Sequence, residues 1–381
     1  MKITGIICEY NPFHLGHFKQ LRAIREQNAD TGIVCLMSGN YVQRGMPAIF
    51  DKAHRAKAAV MCGADLVLEL PVTAALSSAE GFADQGVRIL SGFCDSLSFG
   101  AEDALPDLLM KTAQALLRPD FPEYLKAELS KGLSFPAARQ NALEAMGLNA
   151  DSLNKPNNIL AIEYCKAILS QNSKMKPEPI SRGGDYHETT ADTDNPSASA
   201  VRLLLENNKP WQNYVPKNAI DCFENANIHT VSNGEQAILY RLRTMTDEEF
   251  EALPYGSEGL WRKLMRNARQ YATLEEIIVA TKSKRYTRTR LDRMIMCAYL
   301  GLTAENITSP APYVRVLALN DKGREILLKA RQSGHFPNIG ERIDHSYQAI
   351  ENRCDDLYGF FAQSRPKAPG LTNDRRIYYH K

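Results

Sequence analysis

ITGIICEYNPFHLGHFKQLRAIREQ, residues 3–27, is the stretch that decides the fold. Apart from Gly5, its first five residues are β-branched, as a strand buried on both faces should be. From about residue 17 the pattern turns helical and continues to 27. NPFHLGH (11–17) lies between, where Asn11-Pro12 makes a turn and His14 and His17, three apart, share one side of the helix's first turn. A helix start carries unsatisfied N–H groups and about half a positive charge, so it favours phosphate. Two imidazoles there can donate to phosphate oxygens, and Gly16, lacking Cβ, leaves room for nucleotide or backbone. Two histidines at a helix start can also be mere caps or a stray metal site. The preceding buried strand and the turn favour the nucleotide reading.

Outward from this unit the first third repeats the strand-then-helix alternation of βαβ units and a parallel sheet. GIVCLM (32–37), DLVLEL (65–70) and DSLSF (95–99) read as further strands, with helices at about 51–62 and 77–91. Amphipathic stretches follow near 105–117, 121–131 and 135–146, then a helix opened by Pro156 and a strand in PEPISR (177–182). After Arg202 the linker-like ENNKPWQNYVP (206–216) leads into long helical patterns from about 233 to 301. A last strand-like run, PYVRVLALN, precedes a turn at Asp321-Lys322-Gly323 and the helix REILLKARQ. The expected architecture is α/β: a Rossmann-like domain with a parallel sheet over 1–205, then a mainly α-helical domain over 206–381, the boundary lying near 205–215.

The chain has 381 residues, 44% hydrophobic and 24% charged, which excludes a disordered or coiled-coil chain and favours two domains. No run of eighteen apolar residues occurs, and Glu9 and Pro12 interrupt the N-terminal apolar stretch, so a cytoplasmic protein is expected. Eight cysteines without a C-x-x-C pair read as reduced, mostly buried thiols. A net charge of +2 does not announce a nucleic-acid binder, but residues 257–293 hold ten basic side chains against four acidic ones.

The H-x-G-H of residues 14–17 resembles the signature of the HxGH nucleotidyltransferase superfamily, with Glu9 and Asn11 departing from the G-x-F-D-P form of its smaller members. EYNPFH together with MSGNYVQRGMPA (37–48), GADLVLELP (63–71), SFGAED (98–103), KPNNILAIEY (155–164), SRGGDYHE (181–188), KSKRYTRTRLDR (282–293) and PYVRVLALNDKGR (312–324) resembles the tRNA(Met) cytidine acetate ligase family over most of the chain. The resemblance implies activation of acetate by ATP to acetyl-adenylate, release of pyrophosphate, and transfer of the acetyl group to N4 of the wobble cytidine of elongator tRNA(Met).

It also implies ATP contacts from Ile7, Cys8, Glu9, Tyr10, Asn11, Pro12, Phe13, His14, Leu15, Gly16, His17 and Gln20, from Gly100 after the fourth strand, from Asn157 or Asn158, and from Arg182. Each residue also has a plainer reading. Asn157 or Asn158 can cap the helix that Pro156 opens, and Gly100 can be a turn glycine. Ser38, Gly39 and Asn40 sit at a strand's carboxyl end, where open α/β sheets bind ligands, or form an ordinary loop; Gln43 and Arg44 could reach a phosphate or carboxylate, or be solvated. Arg182 brings a planar fork beside Tyr186 and His187. NPSASAVR (195–202) resembles the superfamily's second signature, with Ser197 and Ser199 at a helix start and Arg202 one turn on, placed to hold phosphates or simply to cap.

His14 and His17 are the catalytic candidates, stabilising charge on the phosphates. In KSKRYTRTR, basic residues alternate with Tyr286, Thr287 and Thr289, which suits phosphate contacts plus stacking on an unpaired base as well as it suits a solvated face. The resemblance makes Lys282, Lys284, Arg285, Arg288 and Arg290 the tRNA-binding candidates. Mg2+ is expected to bridge pyrophosphate oxygens, with no dedicated carboxylate cluster for it in the sequence. Competing readings are an adenylyltransferase for a phosphorylated metabolite and an RNA-binding protein with a vestigial nucleotide site.

Overall fold

The computed structural model describes residues 1–148, 150–181, 196–333, 346–364 and 377–381. Among them nine strands form: β1 (Ile3–Cys8), β2 (Gly32–Ser38), β3 (Tyr41–Val42), β4 (Met46–Pro47), β5 (Leu66–Leu70), β6 (Ser96–Ala101), β7 (Lys176–Ser181), β8 (Val316–Leu319) and β9 (Tyr378–Tyr379). The main sheet has the order β7-β6-β1-β2-β5-β8-β9. From β1 the chain steps outward to β2 and β5, all parallel, then returns to the other side of β1 for β6 and β7, also parallel. That reversal opens a crevice at the carboxyl ends of β1 and β6, the place where open α/β sheets bind ligands.

The strands are apolar because both faces are covered. Ile3 and Ile7 of β1 pack with the helices Ala79–Leu90, Pro106–Leu116 and Pro156–Ser170. Ile6 and Cys8 point the other way, toward Leu15–Gln27, Lys52–Met61, Ala198–Glu206 and Lys217–Phe223. Each large apolar side chain buried this way contributes about 1.5–3 kcal/mol. All eight cysteines are free and buried, as expected of reduced thiols.

The helical pattern over 233–301 resolves into Val231–Thr244, Asp247–Glu251, Leu260–Gln270, Leu274–Thr281 and Arg288–Leu300. The breaks have local causes: Thr246 and Thr273 each open a helix with a capping box to the Glu three residues on, and Gly301 ends the last one in the left-handed region. These helices share one core with Ser346–Tyr358, and Tyr41, Val72 and Leu76 from the sheet side enter that core.

The chain beyond 205–215 does not stay apart from the sheet. Phe223 of Lys217–Phe223 stacks on Phe50 at 4.7 Å, and β8, the strand expected in PYVRVLALN, pairs antiparallel with β5. The short hairpin β3–β4 carries no periodicity and is absent from the sequence reading. Gly45 at its turn has φ of +77°, and a Cβ there would lie 2.3 Å from the Arg293 nitrogen, so a glycine lets the hairpin dock on Arg288–Leu300.

Buried charges fasten Ser346–Tyr358 to the sheet. Lys52 Nζ lies 2.8 Å from Glu69 and 2.6 Å from Asp355, while Arg315 reaches Glu69 at 2.8 Å and Glu351 at 2.6 Å. Removing one member would strand its partners without compensation, at a cost of about 3–5 kcal/mol.

Candidate active site

A cleft of about 1330 Å³ opens at the carboxyl ends of β1 and β6. His14 is the N-cap of Leu15–Gln27, and its Nδ1 accepts from the Gly16 amide at 3.0 Å. His17 returns the arrangement: its Nδ1 accepts from the His14 amide at 3.2 Å. The rings stack with centroids 3.7 Å apart. In the neutral rings both Nδ1 atoms are acceptors, which assigns the proton to Nε2 on each ring and makes each a donor. A Cβ on Gly16 would lie 2.9 Å from the His14 ring, so this glycine makes room for the cap as well as for any ligand.

The second signature meets the first. Ser197 caps Ala198–Glu206 by accepting from the Ala200 amide at 3.1 Å. Arg202, one turn on, donates to the main-chain oxygen of Asn11 at 2.7 Å and to Ser199 Oγ at 3.1 Å. Two helix N-termini thus face one cleft, an arrangement suited to polyanions. On the β6 side, Gln20 donates to Ser98 at 3.2 Å, and Gly100 lines the cleft.

The two asparagines at the start of Pro156–Ser170 separate in role. Asn158 is fully buried, donating from Nδ2 to Asp103 at 2.7 Å and accepting from the Asp103 amide at 3.0 Å. Asn157 lines the cleft and donates to Glu102 at 2.7 Å. Among the residues expected to contact ATP, Ile7 to Asn11, His14, Gly16, His17, Gln20, Gly100, Asn157, Ser197, Ser199 and Arg202 line the cleft; Pro12, Phe13, Leu15 and Asn158 do not. Arg182, Tyr186 and His187 lie outside the described residues.

Ser38, Gly39 and Asn40 do not line the cleft. Asn40 instead accepts from the Lys52 amide at 2.9 Å and donates to Asp355 at 3.0 Å, holding the start of the helix Lys52–Met61. Gln43 and Arg44 do line it. The Gln43 amide donates to Glu9 Oε1 at 2.7 Å, and its carbonyl accepts from Arg293 at 3.4 Å.

The basic segment divides as well. Arg285 and Arg290 line the cleft with Thr287 and Thr289, whereas Lys282, Lys284 and Arg288 do not. Arg288 is held by Glu275 in two bonds of 2.7 Å and by Asp292 at 3.2 Å. Arg290 donates to the Tyr255 carbonyl at 3.0 and 2.8 Å, and Arg285 reaches Glu258 at 2.5 Å.

Several lining residues escape a reading of the sequence: Lys19, Arg139, Glu163, Lys166 and Tyr255. Lys19 stands two residues past H-x-G-H, so its position was a usable signal. Arg139 and Glu163 form a buried pair at 2.5 Å between two helices, and no sequence spacing encodes such a contact. Among the described residues no group of three or more His, Cys, Asp or Glu side chains gathers to hold a metal ion, and no helix is long and apolar enough to cross a membrane.

The HIGH Nucleotidyl Transferase family matches residues 1–370. The chain is 38% identical to a tRNA(Met) cytidine acetate ligase of Clostridium perfringens, over 96% of each chain. It is 35% identical to the protein of that name from Clostridium acetobutylicum, over 92% of each. Two crystal structures of Thermotoga maritima TmcAL cover the whole of both chains at 28% identity, the apo form with a TM-score of 0.90 and the form bound with alpha-thio ATP with 0.88.

Proposed function

Because the chain belongs to the tRNA(Met) cytidine acetate ligase family of HIGH nucleotidyl transferases, we propose that it adenylates acetate with ATP and passes the acetyl group to N4 of the wobble cytidine of elongator tRNA(Met). The observation that carries this reading is that the H-x-G-H helix, the Ser197 helix and two arginines of the basic segment line one cleft.

In the first step an acetate oxygen attacks the α-phosphorus of ATP, and pyrophosphate leaves. The charge that develops on the phosphates meets the donors of His14 and His17 and the N-terminus of Ala198–Glu206, with Arg202 holding Asn11 and Ser199 in register. Catalysis of this kind is positioning plus electrostatics, since the protein forms no covalent bond. Gly100 and Asn157, which line the same cleft, are the proposed ATP contacts on its other side. Magnesium bound together with ATP would neutralise part of the phosphate charge.

In the second step the cytidine must leave the loop stack so that N4 reaches the mixed anhydride. Arg285 and Arg290, at the cleft, are suited to the flanking phosphates. The same proposal gives tRNA binding to the mainly helical part of the chain, residues 206–381.

ATP/pyrophosphate exchange across a panel of acids tests the reading. Exchange stimulated by acetate is the expected result. Exchange only with a phosphorylated metabolite would assign a metabolite adenylyltransferase, and no exchange with any acid would leave an RNA-binding protein.

A further inference from the structure

Three carboxylates line the cleft among the described residues: Glu9, Glu80 and Glu163. Two are committed to cations. Glu163 is 2.5 Å from Arg139 and 3.1 Å from Lys166, and Glu80 is 2.7 Å from Lys166. Glu9 makes no ion pair among the described residues. Its Oε1 accepts the Gln43 amide at 2.7 Å, its main-chain oxygen accepts Arg55 Nη1 at 2.6 Å, and Oε2 takes no hydrogen bond among the described residues. Arg55 is itself fully buried, bonded also to the carbonyls of Phe50 at 2.8 Å and Ser38 at 3.1 Å, so Glu9 is fixed at both ends.

Its position is equally particular. Glu9 follows the last residue of β1, two residues before the turn that leads to His14, and the Gln43 peptide that holds it is held in turn by Arg293 of the basic helix. Glu9, Arg285 and Arg290 thus line one cleft, and Glu9 is linked to the basic helix through the Gln43 peptide and Arg293. In the reaction proposed above, the acyl group and the incoming base meet in this cleft.

The geometry points to Glu9 as the general base of acetyl transfer, taking the proton from the cytidine N4 amine. This rests on the reaction proposed above. As the N4–carbon bond forms and the carbon–oxygen bond to the adenylate breaks, the electron pair leaves on the AMP phosphate oxygen. One N4 proton passes to Glu9 Oε2 and then to water, and N4 keeps its other proton as the product amide. No oxidant or further reactant is needed. A carboxylate that is rigidly placed and makes no ion pair among the described residues is what a proton acceptor at this point requires.

Glu9→Gln separates the two steps because its amide oxygen can still accept the Gln43 amide. Acetohydroxamate formed from ATP, acetate and hydroxylamine reads the acetyl-adenylate, and a single-turnover assay with tRNA reads transfer to N4. Transfer is expected to fall on the order of 10²- to 10⁴-fold further than hydroxamate formation, which reads whatever Glu9 contributes to the ATP site. Glu9→Asp, which keeps a carboxylate but draws it back, should transfer at a rate between parent and Glu9→Gln; it serves as the second test should the glutamine variant fold poorly. Transfer by Glu9→Gln within about threefold of the parent, or equal losses in the two assays, would overturn the assignment. A parent enzyme that forms no acetohydroxamate would instead sink the reaction on which the assignment rests.

Discussion

Arg202 donates to the main-chain oxygen of Asn11 across 2.7 Å, joining two signatures that stand 191 residues apart in the chain. Its second nitrogen reaches Ser199 Oγ at 3.1 Å, so one planar fork sets both the turn before His14 and the helix start after Ser197. Lysine offers a single point of donation and can satisfy only one of these. Arg202→Lys should lower acetate-dependent pyrophosphate exchange by about tenfold and Arg202→Ala by about 10²-fold, since each lost charge-assisted hydrogen bond is worth roughly 1.5–3 kcal/mol. Exchange kinetics decide it, and full activity in the lysine variant would contradict the role of the fork.

His14 and His17 cap the helix and, in the proposed reaction, also stabilise charge on the phosphates. His14→Ala or His17→Ala should slow adenylate formation by on the order of 10²- to 10³-fold, as loss of a preorganised donor does. His17→Asn can still accept the His14 amide through its side-chain oxygen, so it should keep more of the roughly 0.5–2 kcal/mol of cap stability than alanine while remaining slow. Thermal melting beside exchange assays separates the two contributions.

The cap was legible in part. Its two histidines, the buried strand before them and the later serine helix are all local patterns, as are the parallel strands and the helix that Pro156 opens. What escaped reading depends on contacts between distant segments. Asn40 looks like a ligand-binding residue at a strand end, yet its amide is consumed by Lys52 and by Asp355, more than three hundred residues away. The five basic residues of KSKRYTRTR look alike in sequence, but Glu275 and Asp292 take up Arg288 while Arg285 and Arg290 face the cleft. β8 was expected as a strand, but nothing local says that it pairs with β5.

His229 gives the fold a pH dependence away from the cleft. Burial pushes its imidazole down to about 4, and the ring stacks on Tyr358 with centroids 4.0 Å apart. The folded state thus holds the neutral ring, whereas the unfolded chain binds a proton below about 6.5. The corresponding stability is complete above about pH 6.5 and is lost as the pH falls toward about 4, by up to roughly 1.4 kcal/mol per pH unit. His229→Phe preserves the stack and should flatten this part of the profile. Urea unfolding of both proteins across the window tests it, and an unchanged slope in the variant would assign the dependence to another group.

The division within the basic segment is measurable through salt. Replacing Arg285 and Arg290 by glutamine should weaken tRNA binding and flatten the dependence of log affinity on log salt by about two units, one per lost phosphate contact. Arg288→Gln should change the slope by much less, because Arg288 does not line the cleft and is held by two carboxylates. Equal effects from both variants would mean that the cleft-facing arginines are not distinguished by the RNA.

In the proposed reaction one cleft joins acetate to a cytidine through an adenylate. The most direct measurement incubates the enzyme with ATP, isotope-labelled acetate and elongator tRNA(Met), then digests the RNA and locates the label by mass spectrometry. Label is expected on N4 of the wobble cytidine, with one AMP and one pyrophosphate for each acetyl group transferred, and no label when ATP is omitted. Consumption of ATP without labelled cytidine, or label appearing without release of AMP, would contradict the proposed reaction.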